Sequence, residues 1–213
     1  MTTLPDAVRV PVTVVDYGAG NLVSIEQALV TAGAVVRRAE RADQIGDPAL
    51  LVVPGVGASA PAMERLRAGG FEGAILDWVA ADRPFLGICL GLQLLFETSD
   101  EDQARTLGIL RGHTVRLEGA PTLPHIGWNQ VERRRHHRAF AGIAPGADFY
   151  FVHSYAGAPD DDEVVVAETV HGQRFTSTVA RGHLLGVQFH PERSGADGLR
   201  LVANVVRVAW EAG

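Results

Sequence analysis

The chain has 213 residues, is 46% hydrophobic and 21% charged, and carries a formal net charge of -6. That length supports one substantial core, and these proportions exclude a disordered class; no run approaches the ~18 apolar residues of a spanning helix. The acidic balance argues against duplex binding, which needs a basic face to displace counterions, and the one basic run, "ERRRHHR" at 132–138, reads as a solvated strand end or loop.

A single cysteine, Cys89, excludes an internal disulfide framework and a multi-thiolate zinc site, and the eight histidines show no metal-ligand spacing. No metal or cofactor is therefore expected. Residues 1–11 lack the basic start, apolar stretch and small-residue cleavage site of a signal peptide. They read as a tail leading into a strand, with the cytoplasm as the expected compartment and residues 12–213 as one domain.

Val12 to Asp16 is a β-branched strand entering the glycine turn of "DYGAGN". Asn21 can cap a helix on which Leu22, Ile25 and Leu29 share a face, with Gly33 closing it. "AVVRRA" and "ALLVVPGVG" are the next strands, and the helical stretch beginning at Pro61 is interrupted by Gly69 and Gly70. "PFLGIC" is a further strand, running into a helix from Leu90. Strands with uniformly apolar centres, alternating with helices, predict an α/β fold with a mostly parallel central sheet covered on both faces.

After about residue 107 the texture changes to short strand-like segments: "HTVRL", "IGWNQVERR", "DFYFVHSYA", "EVVVAETVHG", "RFTSTVAR" and "LLGVQFH". Gly, Pro and Asp separate them, so an antiparallel extension is expected. A final helix follows, with Leu199, Val202, Val206 and Ala209 at helical spacing.

Three stretches carry chemistry. In "GICLG", Gly87 and Gly91 flank Cys89 where strand becomes helix. Small neighbours permit the close backbone approach of a nucleophile elbow, in which the next amide N–H, here that of Leu90, helps form an oxyanion hole. A helix N-terminus favours the thiolate form. "GVQFHPERS" supplies His190 as base, and Glu192, two positions on across a proline, as the carboxylate that orients it. "VVPGVG" places Gly55 and Gly57 around Val56, so that this loop can turn a backbone N–H toward a developing oxyanion.

Taken in order, "PGVG", "GICLGLQLLFE" and "GVQFHPE" resemble the class I, triad-type glutamine amidotransferases. "DYGAGN", "LPHIGWNQV", "FYFVHSY" and "HPERS" resemble one branch, the glutaminase subunit of imidazole glycerol phosphate synthase in histidine biosynthesis. The resemblance implies a flavodoxin-like fold and hydrolysis of glutamine to glutamate and ammonia. Cys89 would attack the side-chain carboxamide, with His190 as proton shuttle and Glu192 as its orienter. Leu90 and, after a peptide rearrangement, Val56 would offer N–H groups to the oxyanion.

It further implies that Gly55, Gln93, Glu101, Ser154 and Tyr155 bind substrate. Asn21, Trp128, Tyr150 and Arg193 would lie at the interface with a (β/α)8-barrel cyclase subunit. That heterodimeric partner would use the ammonia to make imidazole glycerol phosphate and AICAR. Arg193 departs from the lysine common at this position, and its planar guanidinium is not equivalent to an ammonium group. Glutaminases serving anthranilate, GMP or pyridoxal phosphate synthesis share the triad and remain the alternative. A non-catalytic subunit would lack a triad member, and a thiol redox sensor often carries a resolving cysteine that this chain does not have.

Overall fold

The computed structural model describes residues 9–20 and 22–212. The roles read for Asn21, as helix cap and interface residue, and for the tail over residues 1–8 lie outside the described residues. In chain order the elements are β1 (Val10–Val15), α1 (Leu22–Thr31), β2 (Ala34–Ala39), β3 (Leu50–Gly55), α2 (Ser59–Ala68), α3 (Phe71–Ala80), β4 (Phe85–Cys89) and α4 (Leu90–Gln93). There follow β5 (Thr98–Ser99), β6 (Gly112–Arg116), β7 (His125–Arg133), β8 (Ala147–His153), β9 (Tyr155–Pro159), β10 (Val165–His171), β11 (Gln173–Arg181), β12 (Leu184–Val187) and α5 (Gly195–Ala212). Val10 and Pro11 thus belong to the first strand, paired with Ala34 and Val35, rather than to a tail.

Nine strands form one sheet in the order β2-β1-β3-β4-β12-β11-β10-β7-β8. The first five are parallel to their neighbours, and the remaining four extend the sheet in antiparallel pairs. Counting only the parallel strands, the order is the doubly wound 2-1-3-4-5, which opens a crevice at the carboxyl ends of the strands. The expected mostly parallel sheet with an antiparallel extension is therefore present. A second sheet, β5-β6-β9, packs beside it.

Alternation along the parallel strands divides the apolar side chains between two faces. Val12, Val14, Leu50 and Val52 pack with Leu22, Ile25 and Leu29 of α1 and Leu201, Val202, Val205 and Val206 of α5. Val15, Leu51 and Val53 pack on the other face with Met63 and Leu66 of α2 and Phe71, Ile75 and Trp78 of α3. Each buried Leu, Ile, Met or Phe side chain contributes about 1.5–3 kcal/mol, and truncating fully buried Leu66 to Ala should cost about 2–5 kcal/mol.

The helix expected from Leu90 is present, with four residues. The carbonyls of Leu94, Leu95 and Phe96 accept instead from the amides of Leu107, Leu110 and Gly108, so long-range pairing replaces further helical turns, and the dipole available to Cys89 is that of a single turn. Two other local expectations are corrected. "DFYFVHSYA" is two strands, β8 on β7 in the large sheet and β9 on β6 in the small one, with the chain changing sheets at Ser154. In α5, Leu199 is 38% exposed, and the buried face is formed by Leu201, Val202, Val205, Val206 and Ala209.

Candidate active site

Cys89 ends β4 with φ 54° and ψ −107°, a strained conformation for a residue with a side chain. The backbone around it is crowded. A Cβ at Gly91 would lie 1.8 Å from the Val53 carbonyl oxygen, and one at Gly87 would lie 2.6 Å from the Gly91 oxygen. Both flanking glycines are therefore required by close backbone approach, as the elbow reading expects.

The His190–Glu192 turn follows β12. Its imidazole Nδ1–H donates to Glu192 Oε1 at 2.8 Å, with the side chains 8% and 5% exposed. This bond leaves Nε2 as the free nitrogen, and among the described residues Nε2 has no hydrogen-bond partner. Burial alone would lower the imidazole pKa, but interactions with Cys89 and Glu192 outweigh it and push it up to about 10. The turn is tied to β8: His190 N–H donates to the Tyr150 carbonyl at 2.8 Å, and Ser194 Oγ accepts from Tyr150 N–H at 2.9 Å while donating to the His190 carbonyl.

A cavity of about 290 Å³ opens over the elbow, lined among others by Val56, Cys89, Leu90, Gln93, Glu101, Ser154 and Tyr155. Residues up to 99 positions apart in sequence, Val56 and Tyr155, are thus brought to one cavity. The change of sheet at Ser154 is what delivers Ser154 and Tyr155 there. Gln93 Nε2 donates to the Tyr155 carbonyl at 2.8 Å and to Gln188 Oε1 at 3.1 Å, so both amide hydrogens are engaged within the protein.

The acidic run resolves into separate tasks: Asp102 accepts from Ala60 N–H at the start of α2, at 2.6 Å, while Glu101 reaches the cavity. Burial first, and Asp102 second, raise the pKa of the Glu101 carboxyl. Gly55 pairs with Cys89 across β3 and β4. It lines a second cavity of about 390 Å³ with Gly20, Ser24, Val56, His190, Glu192 and Arg193. Val56 and Val152 border both cavities.

Trp128 and Tyr150 do not line that first cavity and lie side by side on β7 and β8. Their rings meet edge to face at 6.2 Å, and the Arg193 guanidinium lies over the Tyr150 ring at 4.1 Å. Trp128 is 57% exposed and neighbouring Ile126 is 60% exposed, so this is an open face.

Sequence reasoning missed Gln188, His125 and His153. Gln188 is fully buried, and its Nε2 donates to Cys89 Sγ at 3.6 Å; strand alternation, which places residue 188 on the same side as His190, was the available signal. His153 Nδ1–H donates to the Tyr155 carbonyl at 2.8 Å, which leaves its Nε2 to accept from His125 Nδ1–H at 3.1 Å. His125 Nε2 in turn accepts from Asn129 at 3.1 Å. Burial holds both imidazoles neutral, with pKa values lowered to about 4 for His125 and about 3 for His153. Their tautomers are thereby fixed, and with them the Tyr155 carbonyl.

Among the described residues, no group of His, Cys, Asp and Glu side chains is arranged to hold a metal ion, and no helix is long and apolar enough to cross a membrane.

Residues 13–208 match the family model described as glutamine amidotransferase class-I. The chain is 44% identical over 207 residues to the imidazole glycerol phosphate synthase subunit HisH of Moorella thermoacetica, covering 95% of this chain and 99% of that protein. To the HisH subunit of a Dehalococcoides mccartyi strain it is 41% identical over 199 residues, covering 93% and 97%. Among solved structures, one described as a glutamine amidotransferase superposes with a TM-score of 0.75 at 20% identity, covering 93% of this chain and 98% of that one, a likeness of fold. The matched family, the extent of these relatives and the fold agree: the chain belongs to the class-I glutamine amidotransferases, in the family of imidazole glycerol phosphate synthase HisH subunits.

Proposed function

We propose that this chain is the glutaminase subunit of imidazole glycerol phosphate synthase, acting through Cys89, His190 and Glu192. The observation that carries the reading is the buried 2.8 Å bond from His190 Nδ1–H to Glu192, which leaves Nε2 without a partner and able to serve the thiol on the elbow. In the forward reaction the Cys89 sulfur attacks the carboxamide carbon of glutamine. The oxyanion formed is met by the N–H groups of Leu90 and, after the Gly55–Val56 peptide turns, of Val56. His190 gives its proton to the departing ammonia, and water then resolves the γ-glutamyl thioester to glutamate with His190 as base. Glu192 keeps the imidazole in the required tautomer and offsets its positive charge.

Gln93, Glu101, Ser154 and Tyr155 line the cavity in which the substrate would sit. Glu101 is the group there suited to an α-ammonium. The second cavity, bordered by His190, Glu192 and Arg193 on the far side of Val56, supports transfer of the ammonia rather than its release. The receiving partner is a (β/α)8-barrel cyclase in a cytoplasmic heterodimer, docked over Trp128, Tyr150 and Arg193. Among the relatives, those named above are subunits of imidazole glycerol phosphate synthase, which favours this branch over glutaminases of other syntheses.

The test is glutamate release from glutamine by this chain alone and with a cyclase subunit carrying its nucleotide substrate or a non-reacting analogue. Strong stimulation by the loaded partner, lost in Cys89→Ala, is the expected result. No turnover in either condition, with the complex formed, would overturn it.

A further inference from the structure

The turn after β1 sends the Tyr17 ring into the site. Tyr17 is 6% exposed, yet among the described residues its hydroxyl has no hydrogen-bond partner. A phenyl ring would occupy the same space without the penalty of a buried, unpaired hydroxyl. The hydroxyl is also held in place: Asp16 Oδ1 accepts from Gly18 N–H at 3.2 Å, and Arg65 of α2 donates to the Gly18 carbonyl at 3.1 Å, fixing the turn on both sides of Tyr17.

Its position is specific. A Cβ built on Gly55 would lie 2.0 Å from Tyr17 Oη, 3.2 Å from Leu90 Cβ and 3.3 Å from Leu90 Cδ2. The hydroxyl therefore takes the place of the Gly55 side chain and sits between the two segments proposed above to supply the oxyanion donors. Burial raises the phenol pKa, the nearby Cys89 charge raises it further, and Arg65 opposes. The group remains a protonated donor.

Opposite rotations about ψ of Gly55 and φ of Val56 turn the Gly55–Val56 peptide and little else of the chain. They carry the Gly55 carbonyl oxygen around an axis beginning at the Cα against which the Tyr17 hydroxyl rests. The C=O and N–H of one trans peptide point in opposite directions. A rotation that brings the carbonyl to Tyr17 therefore turns the Val56 N–H away from it.

We propose that Tyr17 is a positioning residue of the oxyanion hole: its O–H, idle in the resting chain, donates to the Gly55 carbonyl once the Gly55–Val56 peptide turns, holding the Val56 N–H toward the oxyanion. The proposal rests on the reading of Val56 as an oxyanion donor. It assigns the unpaired hydroxyl an acceptor that exists only in the turned state. The interaction therefore favours that state over the resting one and acts on kcat rather than on substrate binding.

The test uses Tyr17→Phe in the two-subunit enzyme with the cyclase loaded. Its kcat for glutamine hydrolysis should fall roughly three- to tenfold, the value of one neutral hydrogen bond made only in the turned state. The KM for glutamine, the melting temperature and the rate of Cys89 alkylation by iodoacetamide, a displacement that forms no oxyanion, should not change. An unchanged kcat would overturn the proposal. So would a kcat loss accompanied by a raised KM, a lowered melting temperature or a parallel loss of alkylation, since each marks a structural role. A wild-type complex that fails to hydrolyse glutamine would instead overturn the function proposed above, and this inference with it.

Discussion

Gln188 holds Cys89 from behind: its Nε2 donates to the sulfur at 3.6 Å while its Oε1 accepts from Gln93 at 3.1 Å. The amide is fully buried, so this pair of bonds fixes its orientation and directs an N–H at the thiol. The contact thereby helps hold the sulfur in place on the elbow. Replacing Gln188 with Leu removes the donor at similar volume and should lower kcat for glutamine hydrolysis by roughly three- to tenfold. Steady-state kinetics with the loaded partner measure it, and an unaltered kcat would show that the contact is packing alone.

Cys89→Ala removes the nucleophile and leaves the elbow free of its side chain's demands, because Ala is smaller and the flanking glycines are untouched. Glutamine-dependent synthesis by the complex should fall by roughly a thousandfold or more. Synthesis from added ammonium salts should continue at nearly the wild-type rate, since in the proposed function that reaction belongs to the partner. Loss of both activities would mean that the substitution damaged folding or docking.

The parts of the site that could be read in the sequence are those whose geometry is local. Gly87, Cys89 and Gly91 form their elbow within five residues, and His190 meets Glu192 across one proline. The Gln188–Cys89 contact instead spans 99 positions, and the Gln93–Tyr155 bond spans 62; alternation puts Gln188 on the side of His190, but no local pattern names the distant residue that either glutamine meets. The same limit hid how far two elements extend. Leu92, Leu94, Leu95 and Phe96 are all buried, which gives the apolar density of a core helix, yet their carbonyls are claimed by the chain around residues 107–110. In "DFYFVHSYA" burial alternates as far as His153 and then shifts phase, with Ala156 rather than Tyr155 fully buried, where the partner strand changes from β7 to β6 at Ser154. The parallel strands were legible because burial on both faces leaves a continuous apolar run.

The imidazole of His190 has a pKa raised from 6.5 to about 10. The folded state therefore holds this proton more tightly than the unfolded chain does. The associated stabilisation is present in full below the unfolded value of 6.5 and is lost as pH rises through about 10. Burial opposes the shift, and Cys89 and Glu192 together overcome it. In Cys89→Ala one of the two supports is gone, so His190 should lose its proton at a distinctly lower pH. Ring-nitrogen NMR of the wild type and the variant reads this directly. Coincident titrations would show that Glu192 alone sustains the imidazolium.

Trp128 connects an open face to the triad through a short chain of contacts. Its ring meets Tyr150 at 6.2 Å, the Tyr150 ring carries the Arg193 guanidinium at 4.1 Å, and the Tyr150 backbone bonds both His190 N–H and Ser194 Oγ. A residue 57% exposed contributes little to folding, so Trp128→Ala should change the stability of the isolated subunit by no more than about 1 kcal/mol. A partner seated on this face would press on Trp128 and Tyr150 and, through Tyr150, on the turn that carries His190. The variant should therefore reduce the factor by which the loaded cyclase stimulates glutamine hydrolysis far more than it alters the melting temperature. A large fall in melting temperature with stimulation intact would make Trp128 a packing residue and move the coupling to another part of the face.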